Sequence, residues 1–272
     1  MTQILNRGAA AFFIVVLLYQ LCSQQALSLA LAILVIHGKP DHVHTYVVGI
    51  MKDNTIFCTG TVIAKRTILT AAHCVKGYES EIASHFTYSN EFELKACKDP
   101  ECKSNQKKLV DGTFPGKDSK GPAYGCSFCY DDTTYLHDIG LLYLAEDADA
   151  AAIRPLPIDL NAFPRMSAII GVEPLTFSGY GLANSNDTST IGQRLMQDWP
   201  ADRADDWTLY YKTNTKINPS DTNTCRGDSG GPALYNDIVL AITSNGDKTC
   251  TIGASTRVDS HLKWILSHLS AA

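Results

Sequence analysis

The sequence predicts an all-β fold, either a barrel or a sandwich, followed by one C-terminal helix. Short apolar or β-branched runs, separated at modest intervals by turn residues, indicate strands. These runs fall at 46–50, 61–63, 67–69, 139–144 and 238–242. The apolar residues of 258–270 recur at helical spacing, and Asp259 or Ser260 can cap the start of that helix.

The composition is that of an ordinary globular protein. Hydrophobic residues make up 45% and charged residues 19% of the 272 residues, which argues against disorder. The 23 basic and 28 acidic residues give a formal net charge of −5. The chain is therefore not a generally basic nucleic-acid binder, and we expect no nucleic-acid partner.

Residues 1–32 have the pattern of a secretory signal peptide. Arg7 is the only charged residue in positions 1–34 and precedes an apolar run at 9–18. Small residues then alternate with leucine, and this pattern offers cleavage after Ser28, Ala30 or Ala32. The alternative is a membrane anchor that runs to Ile36, but polar residues interrupt it and the first run is shorter than the ~20 residues that span a bilayer. The sequence thus predicts a secreted, extracellular protein with no stable membrane association.

The cysteines are interpreted in the light of secretion. Of the nine, Cys22 belongs to the predicted signal peptide, which leaves eight, and an even number in an oxidising compartment favours disulfides. Four lie in a segment at 95–130 that is typical of a long surface loop: Cys97, Cys102, Cys126 and Cys129. Their spacing also fits a four-thiolate zinc site. Behind a signal peptide we favour two disulfides and no metal.

Three short segments carry residues suited to nucleophilic catalysis. They are Leu69-Thr70-Ala71-Ala72-His73-Cys74, His137-Asp138-Ile139-Gly140-Leu141-Leu142 and Cys225-Arg226-Gly227-Asp228-Ser229-Gly230-Gly231-Pro232. A serine hydroxyl is a poor nucleophile unless a base lies within hydrogen-bond reach and an acceptor orients that base. His73 can take and return the proton of Ser229, and Asp138 can fix the imidazole. The glycines suit a tight turn that presents the N–H groups of Gly227 and Ser229 to a developing oxyanion.

In this chain order, the three segments resemble the chymotrypsin/trypsin family of serine endopeptidases. Ser178-Gly179-Tyr180-Gly181 and Ser244-Asn245-Gly246 stand where that family usually has Ser-Gly-Trp-Gly and Ser-Trp-Gly. The match runs from about Val35 to the terminal helix. It implies two antiparallel six-stranded β-barrels, at 35–150 and 151–258, with the active site between them and a terminal helix at 259–270. The roles given to His73, Asp138 and Ser229 are those of this family's triad.

The resemblance also implies how the cysteines pair. It joins Cys58 to Cys74 beside the catalytic histidine, and Cys225 to Cys250 across the specificity pocket. The four cysteines of the insertion at 95–130 have no family counterpart. We expect this insertion to border the cleft.

Further roles around the triad follow from the resemblance. Ser244 is expected to support the Asp138 carboxylate, and Tyr135 to form a wall for substrate residues before the cut. Asp228 is expected to pair with the ammonium of a new amino terminus at Val35. Family members are usually cut after Arg or Lys, but no Arg or Lys lies between Arg7 and Lys39. Either signal peptidase leaves a terminus close to Val35, or a protease of another preference trims it.

The primary specificity pocket is predicted to be neutral. Trypsin-like members place an aspartate six positions before the nucleophile, where this chain has Asn223. Gly246 and Gly253 match the pocket walls and are expected to leave the pocket open. An unpaired buried cation costs about 3–5 kcal/mol, so we expect large neutral residues, aromatic or Leu/Met-like, to be accepted. Alternatively, Asp221 or Asp247 at the rim restores some preference for basic residues.

The sequence therefore predicts a secreted, cofactor-independent serine endopeptidase that works through an acyl-enzyme intermediate. Its expected partners are protein or peptide substrates and protein protease inhibitors, and we expect a monomer. The alternative is a catalytically silent homologue that binds without cutting, although all three triad residues are present. Asn186-Asp187-Thr188 is an N-glycosylation sequon in a polar loop, so the protein is either a glycoprotein or unmodified there.

Overall fold

The computed structural model describes residues 38–52, 55–76, 85–87, 106–118, 126–148, 164–183, 187, 191–212 and 223–269. Several sequence predictions fall outside these ranges: the signal peptide, Val35, Cys97, Cys102, Asn186 and Asp221.

Strands dominate the described residues, and short helices connect or follow them. The strands are β1 (Lys39–Pro40), β2 (Val47–Lys52), β3 (Thr55–Ala64), β4 (Thr67–Thr70), β5 (His85–Thr87), β6 (Gln106–Thr113), β7 (Gly140–Leu144), β8 (Pro174–Gly179), β9 (Leu195–Pro200), β10 (Arg203–Ala204), β11 (Thr208–Lys212), β12 (Pro232–Tyr235), β13 (Ile238–Gly246) and β14 (Ile252–Arg257). The α-helices are α1 (Ala72–Lys76), α2 (Met166–Ile169) and α3 (Leu262–Ser267). The predicted all-β class with a terminal helix is confirmed.

The first sheet is a closed six-stranded barrel with the order β2-β3-β4-β7-β6-β5. Its strands are antiparallel, and β5 pairs back onto β2. Because side chains alternate along a strand, Val48 and Ile50 of β2 pack inside the barrel with Val62 and Ile68. Val47 belongs instead to the apolar cluster that both sheets share. Burial on both faces explains why the β2 sequence is a continuous apolar run.

The second sheet has eight strands, in the order β1-β9-β8-β12-β13-β14-β11-β10, where the sequence predicted six. The difference lies in two strands of two residues each, β1 and β10, which extend opposite edges of six longer strands. β1 comes from the segment before the first barrel and pairs with β9, Lys39 opposite Met196. β10 extends β11 as a hairpin. Among the described residues β1 and β10 do not pair, so this sheet is not closed by its edges.

A two-residue turn joins β12 to β13. Tyr235 and Ile238 face each other across the hairpin, and both turn residues have a positive φ, 45° at Asn236 and 64° at Asp237. A turn of this kind matches the twist of antiparallel strands, and Asn and Asp tolerate its backbone better than most residues do. β12 begins three residues after Ser229, and the hairpin joins it to β13, which carries Ser244.

A common apolar core joins the two sheets. Leu69 and Leu141 of the first sheet belong to the same buried cluster as Leu209, Leu240 and Ile242 of the second. This contact fixes the ends of β4 and β7 relative to the turn before β12. The candidate site is built from those parts of the chain.

The terminal helix is shorter than the predicted range and its start is not capped as expected. A 3-10 turn at Asp259–His261 leads into α3, where Leu262 and Ile265 are buried. The Asp259 carboxylate is bound by Arg257, Nη2 to Oδ2 2.6 Å, and the Ser260 hydroxyl donates to a backbone carbonyl. Both side chains are therefore engaged elsewhere. Among the described residues, no helix is long and apolar enough to cross a membrane.

Candidate active site

The ends of two paired strands bring His73 and Asp138 together. β4 and β7 pair with Thr70 opposite Gly140. His73 follows Thr70 by three residues, in α1, and Asp138 precedes Gly140 by two. A Cβ added to Gly140 would lie only 3.3 Å from the Cα of Ala72, so glycine lets α1 approach the strand.

Asp138 is a fully buried carboxylate that holds the His73 ring. His73 Nδ1 lies 2.8 Å from Asp138 Oδ2, and the His73 backbone N–H donates to Oδ1 over 2.9 Å. The Ser244 hydroxyl also donates to Oδ2, over 2.5 Å. An ionised carboxylate only accepts hydrogen bonds, so this arrangement places the imidazole proton on Nδ1 and makes Nε2 the basic nitrogen.

Ser229 lies in a glycine-rich turn that docks on the first barrel. Gly227 and Gly230 have φ angles of 100° and 83°, a region that favours glycine. The Thr59 N–H donates to the Ser229 carbonyl over 2.8 Å, and the Thr59 hydroxyl donates to the Gly227 carbonyl over 2.7 Å. A Cβ added to Gly230 would lie 2.4 Å from the Thr59 carbonyl oxygen, so the turn can approach β3 only without a side chain there.

Ser229 and His73 line one cleft of about 250 Å³. In the described part of the chain, the N–H groups of Gly227 and Ser229 donate to no protein acceptor. These are the two donors that the sequence assigned to an oxyanion. The cleft is also lined by Tyr135, Thr224, Cys225, Arg226, Thr243, Ser244, Asn245, Gly246, Asp247 and Cys250.

Tyr135 forms a wall of this cleft beside the histidine. Its ring meets the His73 ring edge-on, with centroids 5.9 Å apart. Its φ of 59° is unusual for a residue with a large side chain. Tyr135 is 38% exposed.

Asp228 is a second buried carboxylate beside the nucleophile. It is 2% exposed, and its oxygens accept the N–H groups of Gly181 over 2.7 Å and Cys225 over 2.8 Å. Burial raises the pKa of Asp228 to about 6, although these two hydrogen bonds act in the opposite direction. Among the described residues no cation pairs with it. A Cβ added to Gly179 or Gly181 would collide with its carboxylate, so both glycines are needed for this packing.

The residues predicted for the base of the specificity pocket pack against one another. Gly246 lines the cleft, whereas Gly253 and Asn223 do not. The Tyr211 ring fills the space beside Gly253, where an added Cβ would lie 2.1 Å from its Cε2 atom. The amide oxygen of Asn223 lies 2.9 Å from the same point. Sequence reasoning did not find Tyr211, because its role depends on which residue faces it across the sheet.

The carboxylate of Asp247 lines the cleft but organises its own turn. It accepts the N–H groups of Thr251 over 2.6 Å and Ile252 over 2.7 Å, and the Thr251 hydroxyl over 2.8 Å. Burial alone would raise the pKa of Asp247, but hydrogen bonds from Thr249, Thr251 and Ile252 hold it well below its usual range. Asp247 is thus an ionised group whose lone pairs are already engaged.

Three disulfides lie in the described residues. Cys58–Cys74 ties β3 to α1, and Cys225–Cys250 crosses the cleft wall. Cys126–Cys129 closes a short loop within the insertion. This bond removes two of the four thiolates that a zinc site would need. Cys58 and Cys74 lie close to His73, but their sulfurs are bonded to each other and are not thiolate ligands.

The short loop closed by Cys126–Cys129 packs against the residue before Asp138. The Ser127 carbonyl lies 3.2 Å from His137 Nε2, and His137 Nδ1 lies 3.0 Å from His261 Nε2. The Phe128 ring packs on both histidines, with centroids 4.6 and 5.2 Å away. Burial lowers the pKa of His261 to about 4 and also lowers that of His137. The pair is therefore neutral near pH 7, and sequence reasoning, which found no role for either histidine, missed it.

A buried ionic cluster was also missed. Asp41 is fully buried, 2.9 Å from His44 Nδ1, and accepts the Ser178 hydroxyl. Burial alone would raise the pKa of Asp41, but the hydrogen bonds from His44 and Ser178 hold it far below its usual range. Arg194, 1% exposed, donates to the Asp41 carbonyl over 2.9 Å. The cluster holds the segment of β1 against the second sheet.

The two sheets have the architecture of trypsin-like serine endopeptidases, and His73 and Ser229 line one cleft. A family model described as Trypsin matches residues 33–265. The chain belongs to the trypsin family, as its motifs predicted, and is a serine-type endopeptidase, a hydrolase whose substrates are proteins or peptides.

Individual relatives are distant. The chain is 26% identical over 225 residues to a chymotrypsin of Phaedon cochleariae, covering 78% of this chain and 71% of that protein. It is 25% identical over 234 residues to kallikrein 1-related peptidase b27 of Mus musculus, covering 80% and 82%. The structure of human heparin binding protein has a TM-score of 0.61 at 20% identity, covering 86% of this chain and 98% of that chain. This last likeness concerns the fold alone.

Proposed function

We propose that this protein is a secreted serine endopeptidase that hydrolyses peptide bonds through a triad of His73, Asp138 and Ser229. The observation that carries the proposal is the buried Asp138 carboxylate, which bonds His73 Nδ1 while the ring shares a cleft with Ser229. A buried acceptor behind a histidine, with a serine in front of it, is the arrangement that activates a hydroxyl.

The reaction follows from these positions. His73 Nε2 takes the proton of Ser229 as its oxygen attacks the substrate carbonyl, and the Asp138 carboxylate stabilises the imidazolium. The N–H groups of Gly227 and Ser229 bind the oxyanion of the tetrahedral intermediate. His73 then gives the proton to the leaving amine, and the acyl group stays on Ser229. Water, activated by His73, releases the acyl group in the second half-reaction.

Maturation near Val35 completes the site in this proposal. The new ammonium would pair with Asp228, whose ionised form is otherwise destabilised by burial. Asp228 immediately precedes Ser229 and belongs to the turn that supplies the oxyanion donors. A partner for Asp228 would therefore order the turn that carries the chemistry.

A covalent probe tests the proposal. The mature, secreted protein is treated with a fluorophosphonate, which labels an activated serine, in parallel with Ser229→Ala. We expect stoichiometric labelling and peptide hydrolysis by the first protein only, both insensitive to a chelator. Failure to label, with no hydrolysis of a peptide library, would instead indicate a catalytically silent homologue.

The remaining expectations concern the protein outside the site. We propose secretion after removal of residues 1–32, a monomeric enzyme, protein protease inhibitors as regulatory partners, and two disulfides among the insertion cysteines, of which Cys126–Cys129 is one. Sequencing the amino terminus of secreted protein tests the first. Glycosidase treatment followed by mass measurement decides whether Asn186 carries a glycan.

A further inference from the structure

An aromatic ring lies at the floor of the primary specificity pocket. Tyr211 on β11 lies directly opposite Gly253 on β14, and its side chain lies over that glycine. A Cβ on Gly253 would lie 2.1 Å from Tyr211 Cε2 and 2.6 Å from Cζ. Glycine at this position therefore does not leave a void for substrate. It makes room for the aromatic ring of the neighbouring strand.

The Tyr211 ring is fixed from three sides. Its hydroxyl lies 3.0 Å from the Thr224 hydroxyl and 3.1 Å from the Ser255 hydroxyl. The Phe177 ring packs on it with centroids 4.7 Å apart. Tyr211 is 2% exposed, and burial raises its pKa, so the hydroxyl is neutral and held in place. A ring anchored in this way will not swing aside when substrate enters.

The extent of the cleft agrees with a raised floor. Thr224, Cys225, Gly246 and Cys250 line it, and Thr224 bonds directly to the Tyr211 hydroxyl. Within the described ranges, Tyr211, Asn223 and Gly253 contribute nothing to the cleft lining. The open space therefore ends above the layer formed by these residues.

The floor residues that the structure describes are also uncharged. Asn223 accepts the Thr224 N–H on Oδ1 over 2.8 Å, and its buried Nδ2 finds no acceptor among the described residues. Asp247, the carboxylate of the cleft lining, is occupied by Thr251 and Ile252. Among the described residues, the layer beneath the cleft therefore offers an amide and a phenol and no free carboxylate.

We propose that Tyr211 determines the primary specificity by truncating the pocket, so that small neutral side chains such as Ala and Val are preferred before the scissile bond. The inference rests on the proposed endopeptidase function and defines its substrate class. Aromatic residues are excluded by depth, and Arg and Lys both by depth and by a floor whose described residues carry no charge. It differs from the sequence prediction, made from Asn223, Gly246 and Gly253, that large neutral residues are accepted.

The test measures kcat/KM for peptides that differ only in the residue before the cut: Ala, Val, Leu, Phe or Arg. Enzyme concentrations are set by titration with the fluorophosphonate, so that only folded, competent protein is counted. For the wild type we expect Ala or Val to exceed Phe by roughly tenfold or more, since a single methylene already changes discrimination about tenfold or more. A wild-type preference for Phe or Arg overturns the inference.

Substitutions then identify the responsible residue. Tyr211→Ala should raise the Phe-to-Ala ratio of kcat/KM at least tenfold, whereas Tyr211→Phe, which keeps the ring and removes the hydroxyl, should leave it within about threefold of wild type. If Tyr211→Ala yields no titratable enzyme, Tyr211→Val, which suits a strand, is measured in the same way. An unchanged ratio in the shortened variant refutes the role of Tyr211.

The two proposals fail differently. If the wild-type protein neither reacts with the fluorophosphonate nor cleaves any peptide, the endopeptidase function fails and the specificity inference falls with it. If it reacts and cleaves but prefers Phe, only the role of Tyr211 is lost.

Discussion

Replacing Asp228 by asparagine tests how a buried carboxylate couples maturation to the oxyanion turn. Burial raises the pKa of Asp228 from 3.8 to about 6. At about 1.4 kcal/mol per pKa unit, the ionised form destabilises the unprocessed protein by about 3 kcal/mol. Because the pKa in the folded state lies above that in the unfolded state, the folded protein binds more protons between pH 4 and 6. Stability from this group is therefore greatest below pH 4 and falls as the pH rises through 6.

The variant removes the charge but keeps the shape. Asparagine can accept only one of the two N–H groups, from Gly181 and Cys225, that Asp228 accepts, and a lost hydrogen bond costs about 1 kcal/mol. We therefore expect the free energy of unfolding of unprocessed Asp228→Asn to exceed that of wild type by about 2 kcal/mol at pH 8. This difference should disappear near pH 4. The assay is urea unfolding of both proteins across this pH range.

Cleavage before Val35 should make wild type more stable than Asp228→Asn. Once the terminus at Val35 is freed, wild-type Asp228 gains a cationic partner and the asparagine does not. We expect wild type alone to become more stable on processing, and to react faster with the fluorophosphonate. A stability difference that does not change with pH, or an equal gain in both proteins on processing, would refute this account.

Three further outcomes are expected. Ser229→Ala should lose roughly a millionfold in kcat, as the nucleophile variant of subtilisin does, while unfolding like wild type in urea. Ser244→Ala removes a hydrogen bond to the Asp138 charge, worth about 1.5–3 kcal/mol, so kcat/KM should fall roughly tenfold to a hundredfold with a normal unfolding midpoint. The contribution of His261 to protein stability should fall by up to about 3 kcal/mol as the pH drops from 6.5 to 4, because burial lowers its pKa to about 4; in urea titrations wild type should therefore lose this much relative to His261→Phe, in which the opposite contribution of Asp228 is unchanged.

The triad could be predicted because its signals are local. His73 and Asp138 lie within three residues of strand ends, and each of the two strands is an apolar run in the sequence. The glycines around Ser229 predict a backbone with positive φ, which other residues adopt with difficulty, and Gly227 and Gly230 have positive φ angles. Short motifs of this kind carry both the residue types and the turn that presents them.

The features that sequence reasoning missed depend on pairing across long distances in the chain. The sequence around Tyr211 indicates only a strand. Its position opposite Gly253 is a property of the strand pairing. The edge strands β1 and β10 are two residues long, too short to leave a hydrophobic period. Arg194 is buried and donates to the carbonyl of Asp41, 153 positions away, a contact that no local pattern indicates. Register and burial of this kind are properties of the assembled sheets.

The ionic cluster around Asp41 bears on where the mature chain must begin. Ser178 donates to Asp41, and its neighbour Gly179 packs against Asp228, so the two carboxylates lie on the order of 10 Å apart. Asp41 lies six positions after Val35, and six residues of extended chain reach about 20 Å, which is longer than that distance.

Reach is therefore not what selects Val35. The buried space around Asp228 limits the length of the terminus. Gly179 and Gly181 lie in contact with the Asp228 carboxylate, so every additional residue would also have to be buried. We expect active enzyme to begin at or within a residue or two of Val35, as read by sequencing the amino terminus of fluorophosphonate-labelled protein. Full labelling of a chain that begins many residues upstream would contradict this coupling.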